Sequence, residues 1–345
     1  MRVGILTVRS RAGEEGGAER FYDGLQSAFV ARGFDADLVA IPSDESTFHT
    51  IEETYLRCYD FDAAAFDGVI STKAPTYLVR HPNHVCYLVH TIRVFYDMFE
   101  STFPKPAAQL LAQRALVQEL DALALAPPRT RRVFAIGNEV ARRLAESNGI
   151  EPAVLHPPLG FDRFHAGPYG DYVFLPGRLH RWKRVDLAIE AMRHVRAPLR
   201  LVIAGSGEDE QALRALAAAD PRIVFLGRVT DAELVELYAN ALAVAFVPLR
   251  EDYGYVTVEA FRSGKPVVTC SDSGEAALLV DHERTGLVVP PDPASLGAAF
   301  ERLHADRRWV AALGAAAAAR ERAISWDNVV PALATALGFP LEGAA

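Results

Sequence analysis

Two carboxylates on either side of a glycine form the pattern with the clearest chemical meaning in this chain. Glu251 and Glu259 are separated by seven residues, with Gly254 between them, and the apolar run 241–247 precedes them. The run predicts a buried strand with Glu251 just past its end, followed by a helix that carries Glu259 about one turn in. Because ligands of open α/β sheets bind outside the carboxyl ends of the strands, both carboxylates could face one polyhydroxylated ligand. The alternative is a loop acid and a solvated helical glutamate.

A cluster of cations follows another predicted strand, over residues 172–175. Residues 177–184 read Gly-Arg-Leu-His-Arg-Trp-Lys-Arg in a chain of net charge −8, which points to an anionic ligand. Arginine offers a planar fork to phosphate oxygens and lysine a mobile point charge. Arg178 and Lys183 could both reach one diphosphate if the loop bends over it. For Arg181 or Arg184 we expect a solvated surface position.

Small residues follow three more predicted strands of the same half. They are Gly205, the segment Gly227-Arg228-Val229 and the segment Ser273-Gly274-Glu275. The carboxyl ends of parallel strands meet at one edge of a sheet. Together these positions suit a nucleotide that lies across that edge.

The N-terminal half carries two weaker signals. Gly16 and Gly17 precede a predicted helix, whose free N–H groups could bind a diphosphate or a sugar, although on its own a Gly-Gly pair is more often a simple turn. No Gly-x-Gly-x-x-Gly or Walker sequence is present. His90 ends a predicted strand and would face a ligand cleft, unless it is structural. No histidine pair has metal-ligand spacing, so no metal site is predicted.

Strand-like and helix-like segments alternate through most of the chain, which predicts α/β domains with parallel sheets. A Pro- and Gly-rich stretch at 156–168 lacks periodicity and is interpreted as an interdomain linker. It separates an N-terminal domain, 1–160, from a C-terminal domain, 169–325. The last segment, 326–345, contains a helix that could return to the first domain. Two such domains would face each other across a central cleft.

Composition narrows the class of protein. The chain has 345 residues, half of them apolar, and three widely spaced cysteines. These values favour a globular protein of a reducing compartment and argue against a general nucleic-acid binder. We see no signal peptide or bilayer-spanning run and expect a cytoplasmic location. A basic region could rest on the inner face of an anionic membrane, although the net charge favours a solvated face; it comprises Arg129, Arg131, Arg132, Arg142 and Arg143.

Taken in order, these motifs resemble those of the retaining glycosyltransferases of family 4, which have the GT-B fold of two Rossmann-like domains. The matching segments run from residue 1 to about 290 and comprise Gly16 to Arg20, His90, Pro157 to Phe164, Gly177 to Lys183, Phe225 to Val229, and Glu251 to Glu259. The resemblance implies a transferase that moves a sugar from a nucleoside-diphosphate sugar, without a metal or other cofactor.

The resemblance also implies a role for each matching position. Arg178 and Lys183 would hold the donor diphosphate, Glu251 the sugar hydroxyls and Glu259 the ribose. His90 would contact the donor sugar from the acceptor side. The remaining implied donor-site residues are Gly17, Gly205, Val229, Gly254, Gly274 and Glu275.

The nearest alternatives are a nucleotide-sugar epimerase of the same fold and a non-catalytic nucleotide-sugar-binding subunit. Turnover of donor without acceptor would favour the first, and tight binding without turnover the second. The expected acceptor is a glycan, a lipid-linked molecule or a small molecule, most consistent with bacterial surface polysaccharide biosynthesis. Neither the donor base, with UDP and GDP as the main candidates, nor the oligomeric state is fixed by these motifs.

Overall fold

The computed structural model describes residues 1–10, 17–160 and 163–341. The chain divides into two compact units. Unit 1 comprises Met1–Gly160 and Ser325–Ala345, and unit 2 comprises Phe161–Ile324.

Unit 1 is built on a six-stranded sheet whose paired strands are all parallel, in the order β2-β1-β3-β4-β5-β6. Its elements are β1 (Arg2–Ser10), α1 (Gly17–Val30), β2 (Asp35–Ser43), α2 (Phe48–Asp60), β3 (Gly68–Ser71), β4 (His84–Leu88), α3 (Phe99–Thr102), α4 (Ala108–Leu125), β5 (Arg132–Ala135), α5 (Asn138–Asn148) and β6 (Ala153–Val154), with 3₁₀ turns at Thr76–Leu78 and Arg93–Phe95. Every residue of β3 and β4 is buried, as expected for central parallel strands covered on both faces.

Unit 2 repeats this architecture with the strand order β12-β11-β10-β7-β8-β9, again all parallel. Its elements are β7 (Tyr172–Pro176), α6 (Val185–Ala191), β8 (Arg200–Ala204), α7 (Glu210–Ala217), β9 (Ile223–Gly227), α8 (Asp231–Ala239), β10 (Ala243–Ala245), α9 (Tyr255–Arg262), β11 (Val267–Cys270), α10 (Glu275–Leu279), β12 (Gly286–Val289), α11 (Pro293–Ala305) and α12 (Arg307–Glu321), with 3₁₀ turns at Arg181–Lys183 and Met192–His194.

Local sequence signals explain where several helices begin. Thr230 and Glu233 form the reciprocal capping box that the sequence predicts for α8. Asp292 caps α11, with a proline in its first turn. Both helices therefore begin at a side chain that accepts a hydrogen bond from a backbone N–H group of the first turn.

The last helix, α13 (Trp326–Ala336), belongs to unit 1, where Trp326 stacks on Phe21 of α1 with ring centroids 6.4 Å apart. A side chain at Gly24 of α1 would lie 2.9 Å from the same indole. The absence of a side chain at this position therefore allows the two helices to approach closely.

The predicted α/β fold with two parallel sheets is confirmed. The elements that were not predicted are the helices α2, α3, α10 and α12 and the edge strand β12. The apolar run 241–247 is fully buried as expected, but only Ala243–Ala245 pair as a strand. The remaining apolar residues of that run are buried in the segments that enter and leave β10.

Candidate active site

The strand order of unit 2 reverses between β7 and β10. The chain moves from β7 to β8 and β9 on one side, and from β10 to β11 and β12 on the other. A crevice outside the carboxyl ends of the strands is expected at such a switch point. The loops that leave β7 and β10 carry the two motifs predicted to do chemistry, residues 177–184 and 246–254.

The two loops meet at an ion pair between Lys183 and Glu251. Lys183 Nζ lies 2.7 Å from Glu251 Oε2, and the two side chains are 30% and 19% exposed. The backbone N–H of Leu249 donates to the carbonyl of Trp182 at 2.8 Å, which ties the loops together beside the pair. A lysine ammonium has three donors, so Lys183 can bind a phosphate oxygen while it holds Glu251.

Arg184 joins the loops of the site through hydrogen bonds of its guanidinium group. Its guanidinium donates to the carbonyls of Val247 and Pro248, both at 2.8 Å, and to both carboxylate oxygens of Asp272, at 2.6 and 2.7 Å. Arg184 therefore links the segments that follow β7, β10 and β11. The expectation of a solvated surface position is wrong for Arg184, because its guanidinium donates hydrogen bonds to two buried backbone carbonyls and to a carboxylate. Arg181, by contrast, is exposed.

Arg178 is an exposed cation of the same loop. Its side chain is 55% exposed, and Nη2 lies 3.5 Å from Glu208 Oε2. Glu208 also lies 3.2 Å from Nε2 of His180. Partial burial lowers the pKa of His180. A hydrogen bond from its own backbone N–H is the main cause that lowers the pKa of Glu208. Glu208 therefore remains charged at neutral pH and competes with any anion for Arg178.

Gly205 allows the loops after β7 and β8 to touch. It has φ 136°, and a Cβ there would lie 1.9 Å from the carbonyl oxygen of Gly177. Its N–H donates to the carbonyl of Gly227 at 2.7 Å. Three strand ends are thus in direct backbone contact, and a side chain at Gly205 would force them apart.

The loop after β11 packs on the backbone of Glu251. Gly274 has φ 65°, and a Cβ there would lie 2.5 Å from the carbonyl oxygen of Glu251. The N–H of Glu251 donates to the carbonyl of Ser273 at 3.1 Å, and the N–H of Glu275 donates to the carbonyl of Glu251 at 2.9 Å. The side chain of Glu275 is fully buried. Its contact with the donor sugar remains a prediction.

Helix α9 begins after Gly254, which has φ 82°, and carries Glu259 as its fifth residue. The hydroxyl of Tyr238 donates to Glu259 Oε2 at 2.5 Å. Tyr238 is fully buried, with edge contacts to the rings of Phe164 and Phe174. One oxygen of the Glu259 carboxylate is therefore fixed by a buried donor. Tyr238 was missed by sequence reasoning, because nothing local links it to a glutamate 21 positions away.

The remaining predicted residues occupy separate places. Val229 lies half-buried between β9 and α8. In unit 1, His90 follows β4, and its Nδ1 lies 2.8 Å from the carbonyl oxygen of Thr91, which makes Nδ1 the protonated nitrogen. Gly17 is the first residue of α1, and Gly16 lies outside the described residues. The structure thus brings Lys183 and Glu251 into contact, with Arg178 in the same loop as Lys183, and places Glu259 on α9, hydrogen-bonded to Tyr238.

Comparison with known proteins identifies this architecture. Residues 170–306 match the family model described as "Glycosyl transferases group 1". A structure of Anabaena HepE in complex with UDP and glucose aligns over 98% of this chain and 99% of its own, with TM-score 0.74 and 17% identity. Sucrose-phosphate synthase from Thermosynechococcus elongatus aligns over 98% of this chain and 97% of its own, with TM-score 0.76 and 18% identity. The fold is GT-B.

A curated relative gives similarity at the sequence level. A D-inositol 3-phosphate glycosyltransferase of Streptomyces bingchenggensis is 26% identical over 276 residues, which are 71% of this chain. The chain spans 58% of that relative's length. The matched family segment of this GT-B chain contains every candidate residue of unit 2, from Arg178 to Glu275.

Within the described ranges, the GT-B chain has neither a cluster of metal-binding side chains nor a bilayer-spanning helix. No cluster of three or more His, Cys, Asp or Glu side chains there has the arrangement of a metal site. None of the helices in those ranges combines the length and the hydropathy of a bilayer-spanning segment.

Proposed function

We propose that this protein is a glycosyltransferase that moves a sugar from a nucleoside-diphosphate sugar to a hydroxyl of an acceptor. The observation that carries the proposal is the Lys183–Glu251 pair at the switch point of unit 2, with the exposed Arg178 in the same loop. This arrangement offers cations to a diphosphate and a carboxylate to sugar hydroxyls. The names of the relatives support it, since one acts as a glycosyltransferase and another was crystallised with UDP and glucose.

Unit 2 would bind the donor. Arg178 and Lys183 hold the diphosphate, Glu251 accepts hydrogen bonds from the sugar, and Glu259 accepts them from the ribose. Gly205 and Val229 flank the base, because both lie where strands of the same sheet end. Gly254 and the segment 274–275 border the sugar.

The reaction depends on stabilising a leaving group. As the bond between the anomeric carbon and the diphosphate oxygen breaks, negative charge grows on the diphosphate, and Arg178 and Lys183 lie where they oppose it. Removing one such group costs about 10²–10³ in rate. The acceptor oxygen forms the new bond to the anomeric carbon and gives its proton to the departing phosphate.

Attack on the same face that the leaving group vacates gives retention of anomeric configuration. This mechanism uses no enzyme carboxylate as nucleophile and no metal. His90 and Gly17 of unit 1 would contact the sugar and the diphosphate from the acceptor side.

The finer assignment is proposed from the resemblance of the motifs to those of the family 4 glycosyltransferases. The donor is a UDP- or GDP-hexose, and the acceptor is a glycan, a lipid-linked molecule or a small molecule. The pathway would be bacterial surface polysaccharide biosynthesis, at the inner face of the membrane.

Release of nucleoside diphosphate from UDP-, GDP- and ADP-hexoses tests the function. We expect one donor to be consumed, undiminished by EDTA, with the product anomer retained in NMR spectra. Lys183→Met should lower the rate by at least about 100-fold. Arg181→Met, an exposed cation of the same loop, should leave it unchanged. Epimerised donor without released diphosphate, or tight binding without turnover, would replace the proposal by an epimerase or a binding subunit.

A further inference from the structure

A groove in unit 1 lies on the face that carries α2 and α4. The connection from β3 to β4 contains only the 3₁₀ turn Thr76–Leu78, which packs against both helices. Because a single turn lies between the two helices, a groove of about 520 Å³ remains. The groove is a consequence of this short connection.

The lining of the groove is almost entirely apolar. Phe48, Ile51 and Leu56 of α2 face Leu116 and Leu120 of α4 across Leu78. Leu56 is 63% exposed and Leu116 41% exposed, and Leu111 and Leu123 of α4 are exposed as well. Half of the exposed large apolar residues in the described part of the chain therefore lie on α2 and α4. Of these, Leu56 and Leu116 line the groove, and exposed apolar surface of this kind marks interaction sites.

Charges of opposite sign lie on either side of Leu56 along α2. Glu52 and Glu53 line the groove about one turn before Leu56. Tyr59 lines it nearly one turn after Leu56, and Arg80 and Arg129 lie over its ring at 4.6 and 5.9 Å. Both arginines are exposed.

Glu52 is the less neutralised of the two acids. Glu53 pairs with Arg57 within the helix at 2.9 Å. For Glu52, the one ionic contact recorded in the described ranges is with His49, at 3.9 Å. An acid whose ionic partner is a histidine lies before Leu56 and two exposed arginines lie beyond it, which gives the groove a direction.

We propose that this groove is a homodimer interface, in which a second copy of the chain docks in antiparallel orientation across a two-fold axis. A two-fold interface must contain both a protrusion and its complementary recess, and this face has Leu56 beside the groove. The two-fold axis would insert Leu56 of each copy into the groove of the other. The same operation places Glu52 of each copy opposite Arg80 and Arg129 of its partner, so both charged contacts are attractive.

The apolar part of the interface is tested by mass measurement in solution. The wild type should elute with twice the chain mass of 37.6 kDa in light-scattering chromatography, and Leu56→Asp should elute as the monomer. Leu278→Asp is the matched control, because Leu278 is 55% exposed on unit 2 and should leave the dimer intact. Circular dichroism melting of both variants separates loss of pairing from loss of folding.

A charge exchange tests the orientation. Glu52→Arg places like charges in both symmetry-related contacts, and so does Arg80→Glu combined with Arg129→Glu. Each variant alone should dimerise at least about tenfold more weakly at low salt. Mixed together, they should form a heterodimer as strong as the wild type, because both of its charged contacts are attractive.

Four results would overturn the proposal. A wild type that remains monomeric up to about 100 µM would exclude a homodimer with a micromolar Kd and would contradict the proposed interface. Dimerisation unaffected by Leu56→Asp would place the interface elsewhere. Failure of the two charge variants to pair with each other, with each folded, would exclude the antiparallel arrangement. Binding of anionic vesicles by the monomer, lost in Leu56→Asp, would assign the groove to lipid instead.

Discussion

Tyr238→Phe removes one buried hydroxyl from the proposed donor site. That hydroxyl donates to Glu259 Oε2 at 2.5 Å, while the ring packs between Phe164 and Phe174. Phenylalanine keeps the ring contacts, so only the hydrogen bond is lost. Without it, the Glu259 carboxylate can rotate and is no longer held in place for the ribose.

The expected magnitude follows from the type of bond. Hydrogen bonds to charged groups contribute about 1.5–3 kcal/mol. The lower end of that range corresponds to roughly a tenfold change in an equilibrium constant. We therefore expect the Kd of the nucleoside diphosphate to rise about tenfold.

Calorimetric titration with ribo- and 2′-deoxyribonucleoside diphosphates measures the effect. If Tyr238 acts through Glu259 on the ribose, Tyr238→Phe should weaken the ribo form and change the deoxy form much less. Tyr172→Phe is the matched control, since its hydroxyl donates to the carbonyl of Leu237 on the same helix at 2.8 Å. Equal weakening of both nucleotides, or an equal effect of Tyr172→Phe, would refute the positioning role.

Three further predictions concern stability and competition in the site. Burial raises the pKa of Asp121 to about 6, above its ordinary value of 3.8, although Tyr55 donates a hydrogen bond to it. The stability of the wild type relative to Asp121→Asn should therefore rise on the order of 3 kcal/mol as the pH falls from 7 to 4. Urea titrations measure this difference, and a fall in stability would contradict the prediction. Glu208→Gln should tighten diphosphate binding a few-fold by calorimetry, because it removes a carboxylate that competes for Arg178; unchanged or weaker binding would argue against that competition. Gly205→Ala should lower the free energy of unfolding in urea by more than about 2 kcal/mol, because the new Cβ would clash with backbone atoms. Gly149 also has a positive φ but open space around it, so Gly149→Ala should lower the free energy of unfolding less. Equal losses would argue against the clash.

The sequence was sufficient for the alternation of strands and helices and for the loops that carry chemistry. Apolar runs such as 172–175 mark buried parallel strands, and the polar residues that follow them must lie at the carboxyl edge of the sheet. Arg178 and Glu251 could be placed at that edge without coordinates. That Lys183 contacts Glu251, 68 positions away, depends on β7 and β10 being neighbours, which no local pattern encodes.

The residues that support the site were beyond sequence reasoning. Arg184 looked like one more cation of an exposed loop, and only the packing of three strand ends shows that its guanidinium binds buried carbonyls and Asp272. Tyr238 follows a helical pattern that explains its burial but not its hydrogen bond. Helix α2 lacks acidic residues in its first turn, and its Thr47–Thr50 capping box departs from the usual Glu or Gln at the third position.

The central claim is that unit 2 binds a nucleoside diphosphate through Arg178 and Lys183. The most direct measurement is the thermal stability of wild type, Arg178→Ala/Lys183→Ala and Arg181→Ala with UDP, GDP and ADP. A ligand at 100 times its Kd stabilises a protein by about 2.7 kcal/mol. We predict that one diphosphate stabilises the wild type and Arg181→Ala but not the double variant. Stabilisation of all three proteins alike, or of none by any diphosphate, would contradict the assignment of the donor site.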